Sequence, residues 1–153
     1  MGEKVRGALF NALGDIEGLT ILDAFAGSGA LSFEAASRGA QHATAIEPDK
    51  EAQRAISSNI EALGLSGSVK LIQAKAQSWL ATSEGTFDII FCDPPYDGIP
   101  NDLIGKLAER AKPGGLVVLS LPPQVKPALD SNFEQLTSKN YGDAALYFYR
   151  RSS

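Results

Sequence analysis

Residues 20–39 read TILDAFAGSGALSFEAASRG. An apolar run from Thr20 to Phe25 meets two glycines one residue apart, Gly27 and Gly29. A helix-forming stretch from Ala30 to Arg38 follows and is closed by Gly39. A strand, a glycine turn and a helix in that order predict the first half of a βαβ unit. Glycine has no Cβ and tolerates positive φ, so such a turn lets the backbone approach a ligand closely. The same pattern also serves as an ordinary tight turn. The third glycine of the dinucleotide fingerprint would fall at Ser32, which argues against NAD and FAD.

Outward from this stretch the chain keeps alternating. Lys4 to Leu13 places Val5, Ala8, Leu9, Ala12 and Leu13 on one helical face, and Gly14 ends it. Ala43 to Glu47, Val69 to Gln73, Phe87 to Cys92 and Leu116 to Leu121 read as strands. Asp49 to Leu63, Ala76 to Leu80 and Asn101 to Lys112 read as the helices between them. Phe133 to Lys139 and Ala144 to Arg150 read as a hairpin around Tyr141-Gly142-Asp143. The prediction is an α/β protein with a Rossmann-like, mainly parallel sheet of seven strands and an antiparallel C-terminal strand. No repeat or linker interrupts it, so one domain over residues 1–153 is expected.

Composition narrows the function. Hydrophobic residues are 44% and charged residues 21%, the balance of a globular domain. Cys92 is the only cysteine and His42 the only histidine, which excludes an intramolecular disulfide and argues against a Cys-based zinc site. Net charge is −4, which argues against indiscriminate nucleic-acid binding. There is no membrane-length apolar run, and Met1-Gly2-Glu3-Lys4 does not resemble a signal peptide, so a cytoplasmic location is expected.

In open α/β sheets ligands lie beyond the carboxyl ends of the strands. Glu47 closes the second strand, 20 residues after Gly27. An acid there accepts ribose hydroxyls, and with the glycine turn it points to an adenosine-containing ligand. Asp93-Pro94-Pro95-Tyr96 follows the fourth strand. The prolines fix the backbone and remove N–H donors, so Asp93 and the carbonyls form an acceptor-only cradle beside an aromatic ring. Such a cradle suits the exocyclic amine of a flipped, stacked base.

The set Asp23 to Gly29, Glu47 and Asp93 to Tyr96 resembles the S-adenosylmethionine-dependent amino-methyltransferases. The further stretches Lys4-Val5-Arg6, Ala8 to Asn11, Ser37 to Ala40, Tyr141 to Asp143 and Tyr147 to Arg150 resemble the RsmD family more narrowly, over nearly the whole chain. That resemblance implies methylation of guanine N2 in 16S ribosomal RNA within small-subunit particles. It implies S-adenosylmethionine as cofactor, no metal, and a monomer. The implied catalytic residues are Asp93, Pro94 and Tyr96. The implied cofactor-binding residues are Asp23, Phe25, Ala26, Gly27, Gly29, Glu47, Ala76 and Asp93, with Asp23 near the cofactor's ammonium group. A DNA adenine-N6 methyltransferase, or a cofactor-binding but inactive module, is the alternative.

Two departures from the family stand out. Members carry an N-terminal extension with a β-hairpin ahead of the first helix, whereas this chain starts almost at that helix. Lys75 stands where an acid usually meets the adenine amine, and lysine cannot accept that bond. The Ala76 N–H would then serve the adenine. His42 reads as a surface residue, Cys92 as a packed small hydrophobe and Trp79 as core or rim. Glu34 is either a solvated helix acid or a support for the methionine end. Lys4, Arg6, Arg150 and Arg151 form a phosphate-binding patch if the termini lie together.

Overall fold

The computed structural model describes residues 1–95, 97 and 101–153. In chain order the elements are α1 (Glu3–Leu13), β1 (Thr20–Asp23), α2 (Ala30–Ser37), β2 (His42–Ile46), α3 (Lys50–Ala62) and β3 (Val69–Ile72). Then come α4 (Ala76–Thr82), β4 (Phe87–Cys92), α5 (Asn101–Ala108), β5 (Ala111–Leu121), β6 (Phe133–Asn140) and β7 (Ala145–Arg151). The sheet has seven strands in the order β3-β2-β1-β4-β5-β7-β6. Strands β1 to β5 pair in parallel, and β7 runs antiparallel to both β5 and β6. The expected mainly parallel α/β sheet with an antiparallel C-terminal strand is therefore present.

Strand side chains alternate between two faces. Leu22, Ile90, Cys92, Val117 and Leu119 enter a core with Trp79 of α4 and Leu103 and Leu107 of α5. Their neighbours Ile21, Ile89, Phe91 and Val118 enter a second core with Leu9 and Phe10 of α1 and Leu31 and Ala35 of α2. Both faces are covered by helices, which explains near-continuous apolar strands such as Phe87–Cys92.

Three local expectations need correction. The helix begun at Asn101 ends at Ala108, not Lys112, because Ala111 pairs with Phe87 as the first residue of β5. Its helical spacing from Leu103 to Ala111 continues into a strand, and the Ala111 methyl is buried by sheet pairing instead. On α1 the buried residues are Leu9 and Phe10, while Ala12 is exposed. The Phe10 ring meets Phe91 edge-on at 5.7 Å. On α3, where helical spacing puts Ala52, Ala55, Ile56, Asn59 and Leu63 on one inward face, only Ile56 is fully buried, and Leu63 is 61% exposed.

The chain order reverses between β1 and β4. Asp23 pairs with Ala45 of β2 on one side and Phe91 of β4 on the other. The segments leaving β1, β2 and β4 thus emerge side by side at one end of the sheet, the usual place for a ligand in this architecture.

Candidate active site

A cleft of about 580 Å³ opens at that end. This is within the range of small-molecule sites. The segment after β1, from Ala24 to Ser28, lines it together with Glu47, Ala76, Asp93 and Pro94. Ala24 and Pro94, 70 positions apart in sequence, therefore line the same cleft, as the crossover topology requires.

The glycine turn is held from β2. Gly27 has φ 57° and Gly29 has φ 83°, conformations that favour glycine. The Gly29 N–H donates to the Ala26 carbonyl at 2.8 Å and closes the turn. A Cβ on Gly29 would lie 2.9 Å from the Phe33 ring, so Gly29 is also needed for packing; a Cβ on Gly27 would meet nothing. The Gly27 N–H donates to Glu47 Oε1 at 2.7 Å, and the Asp49 N–H donates to Glu47 Oε2 at 3.0 Å. Glu47 is only 8% exposed. Each of its oxygens retains acceptor capacity beyond these bonds.

Below the cleft lies Asp23, 1% exposed. Its Oδ2 accepts from the Ser32 hydroxyl at 2.8 Å, and Ser32 is completely buried. Its Oδ1 is buried and has no hydrogen-bond partner among the described residues. Burial pushes the Asp23 carboxyl up to about 7, helped by Asp93 and Glu47 and opposed by the Ser32 hydrogen bond. The buried Cys92 thiol is likewise pushed up, by burial first and then by Asp23 and Asp93. This fits a packed hydrophobe rather than a nucleophile.

At the β4 side Asp93 is partly exposed and Pro94 is buried. The ammonium nitrogen of Met1 lies 3.6 Å from Asp93 Oδ2. Tyr96 lies outside the described residues. Across the cleft, Lys75 is exposed and immediately precedes α4, whose first residue is Ala76. The first N–H groups of a helix have no intrahelical acceptor, so the Ala76 N–H is available to a ligand.

The arrangement gathers most of the expected residues and redistributes the rest. Phe25, Ala26, Gly27, Glu47, Ala76, Asp93 and Pro94 line the cleft. Asp23 and Gly29 do not line it: one lies beneath its floor and the other is buried against Phe33 and Ile56. The four-residue basic patch does not form. Arg150 donates to the Gly114 carbonyl and Arg151 to the Glu109 carbonyl, each at 2.7 Å. Register places Arg150 opposite Leu116, towards the start of β5 and away from the strand ends that carry the cleft. Arg6, by contrast, lines the cleft. Glu34 forms an exposed ion pair with Arg38 at 2.9 Å. Trp79 is core, with the Arg110 guanidinium 5.0 Å over its ring. His42, half-buried, opens β2 at the far end of the sheet. Sequence reading did not single out Ser32 as the hydrogen-bond partner of Asp23. Its signal in the sequence is a hydroxyl on the helix face that carries Leu31 and Ala35, both buried.

The donor set fits an adenosine carrying a cationic amino-acid end. Glu47 offers acceptors for ribose, Ala76 a donor, Phe25 an apolar face, and Asp23 a buried carboxylate oxygen that lacks a cation or donor.

Comparison with known proteins agrees. Residues 1–150 match the family model described as Conserved hypothetical protein 95. The chain is 31% identical to Ribosomal RNA small subunit methyltransferase D of Escherichia coli K12, over 99% of this chain and 78% of that protein. It is 30% identical to the Haemophilus influenzae protein of that name, over 97% and 81%. Among solved structures, yhhF from Escherichia coli has a TM-score of 0.90 at 31% identity, covering 98% of this chain and 85% of that one. A conserved hypothetical protein from Streptococcus pyogenes has a TM-score of 0.87 at 32% identity, covering 96% and 95%. With the fold, the cleft and these likenesses in agreement, the chain belongs to the Conserved hypothetical protein 95 family, the RsmD family of methyltransferases.

Proposed function

We propose that this chain, as a single domain over residues 1–153 and as a monomer, methylates the exocyclic N2 amine of a guanine in small-subunit (16S) ribosomal RNA. S-adenosylmethionine is the cofactor and, when bound, supplies an electrophilic sulfonium methyl group. The observation that carries the reading is the placement of Asp93 and Pro94 on the same cleft as the glycine turn and Glu47. An acceptor-only segment thus shares one cleft with an adenosine-type site. The names of the relatives support ribosomal RNA as substrate, and a cytoplasmic location is part of the same proposal.

In this reading Glu47 accepts the ribose hydroxyls with the lone pairs left by Gly27 and Asp49. The backbone from Phe25 to Gly27 receives the methionine end, with Gly29 shaping the turn, and the Ala76 N–H serves the adenine. Asp93 and the Pro94 carbonyl accept the N–H groups of the target amine. That leaves the nitrogen lone pair facing the donor side, and Asp93 takes the proton that the amine gives up. Tyr96 supplies the stacking face for the flipped base. Alignment of this kind contributes much of the rate when the leaving group is already activated. Arg6 is the arginine on the cleft, placed to meet RNA phosphate.

The experiment is methyl transfer from labelled donor to small-subunit particles from cells lacking the modification, to deproteinised ribosomal RNA and to duplex DNA. Transfer to guanine N2, faster on particles than on naked RNA, is expected. The chain is acidic and brings few phosphate contacts of its own, so an assembled particle must supply shape and protein contacts. Transfer to DNA alone overturns the ribosomal reading. Donor binding with no transfer to any substrate identifies an inactive module.

A further inference from the structure

Ser32 occupies the position at which a dinucleotide-binding turn would carry its third glycine, yet its hydroxyl is spent entirely inside the protein. It donates to Asp23 Oδ2 at 2.8 Å, with both residues sealed from solvent. The other oxygen, Oδ1, has no partner among the described residues. A buried carboxylate oxygen without a donor costs free energy and is tolerated where a ligand completes it.

We propose that Ser32 is a positioning residue for the methyl donor: it clamps Oδ2 of Asp23 so that Oδ1 is reserved for the ammonium group of the donor's amino-acid end, met directly or through one ordered water. This rests on the reading of the cleft as an S-adenosylmethionine site. The residue between them is short of alternatives. Ala24, the next residue along, lines the cleft, and Asp23 is buried beside it at the end of β1, close enough to feel the charges of the cleft-lining Asp93 and Glu47. The charged groups acting on Asp23, Asp93 beyond β4 and Glu47 beyond β2, are both acidic. The neighbouring Cys92 thiol, pushed up by burial, stays neutral and brings no positive charge. A cation entering from the cleft passes the positively charged Arg6 and Lys75 on its lining and meets three carboxyl groups, from β1, β2 and β4, of which Asp93 already faces the Met1 ammonium at 3.6 Å. Asp23 is the one of the three with a buried oxygen that has no partner.

The hydroxyl has a second consequence. A hydrogen bond donated to a carboxylate favours its ionised form, and here it opposes burial, which pushes Asp23 up to about 7. Without Ser32 the carboxyl would hold its proton to higher pH. A protonated Asp23 no longer attracts an ammonium group. Ser32 thus keeps the donor site competent near neutrality, without touching the donor.

The test is calorimetry on the whole chain with two probes, between pH 6 and pH 8.5. S-adenosylhomocysteine carries the ammonium group; 5′-methylthioadenosine lacks the amino-acid end. For Ser32→Ala, S-adenosylhomocysteine should bind about tenfold more weakly at pH 7, as expected for a lost charge-assisted contact. The deficit should shrink towards pH 8.5, and methylthioadenosine affinity should not change. Asp23→Asn should weaken S-adenosylhomocysteine at every pH and flatten the profile. Equal weakening of both probes by Ser32→Ala, or an unshifted pH profile, assigns Ser32 to packing and overturns the proposal. Failure of the unmodified chain to bind either probe overturns the donor-site reading itself, a distinguishable result.

Discussion

Glu47 Oε1 accepts the Gly27 N–H at 2.7 Å, across the gap between β1 and β2. The residue read from sequence as a ribose acceptor is therefore also the brace that sets the glycine turn. Binding and turn geometry are linked through one carboxylate, whose other oxygen holds the Asp49 N–H at the start of α3.

Glu47→Ala should lower both stability and donor affinity. It leaves the Gly27 and Asp49 N–H groups without their acceptor, at about 1–3 kcal/mol of stability. It removes the ribose contacts at a similar cost in binding. Thermal unfolding and calorimetry with S-adenosylhomocysteine measure the two effects separately. A variant of unchanged stability would show the brace to be dispensable.

The two turn glycines should separate binding from folding. Gly29→Ala must hold a left-handed φ and place a methyl 2.9 Å from Phe33. About 2–4 kcal/mol of stability should be lost, combining backbone strain and overpacking. Gly27→Ala meets no neighbour and should lose about 1–2 kcal/mol from backbone strain alone. Gly27 lines the cleft, so donor affinity should fall more than in a surface control. Denaturant midpoints and calorimetry on both variants check this order.

Asp93→Ala should remove methyl transfer while largely sparing donor affinity, because Asp93 is assigned to the target amine. Single-turnover transfer and donor calorimetry are the paired measurements. Wild-type turnover in this variant would dismiss the amine cradle.

Asp23 should make the donor-free chain less stable as pH rises. Its carboxyl is raised in the folded protein to about 7 from an ordinary value near 3.8, so the folded state binds the proton more tightly than the unfolded state does. Its contribution is fully present below the ordinary value and is lost as pH rises through about 7. Asp23→Asn keeps an acceptor for Ser32 and never ionises. It should therefore raise stability at pH 8 by about 1–4 kcal/mol, given roughly 1.4 kcal/mol for each pH unit of displacement. Urea denaturation at pH 5 and pH 8 should show a clearly larger gain at pH 8, because at pH 5, already above the ordinary value, only part of the loss has set in.

Lys75→Asp should tighten donor binding several-fold. Lys75 precedes α4 in an extended conformation and makes no side-chain cap. Aspartate there caps the helix, adding about 1 kcal/mol of stability. It also presents an acceptor on the cleft, where Lys75 presents only donors. Lys75→Ser provides the cap without the charge. A gain in stability with no gain in affinity would place the side chain outside the adenine contact.

The sequence by itself determined the element order, the parallel sheet and the segments that carry the site. These follow from local physics: apolar runs of strand length, glycines that stop helices, and turns rich in Gly and Pro. Phe87–Cys92 has the bounds expected of it because both of its faces are apolar and a proline turn follows. Tertiary structure decided everything that required two distant segments to meet. The spacing of Leu103, Leu107 and Ala111 is helical, yet Ala111 joins β5, because pairing with Phe87 satisfies its backbone in a way the local pattern cannot encode. Arg6 and Arg150 looked like one patch near the two ends of the chain. The antiparallel return of β7 carries Arg150 back towards the start of β5, while Arg6 stays on the cleft. Asp23 was singled out in the sequence, but its burial, its Oδ1 without a partner among the described residues and its bond to Ser32 were not legible there. Those depend on how α2 packs over the end of β1, and burial, which no single stretch of sequence records, is what gives that carboxyl its chemistry.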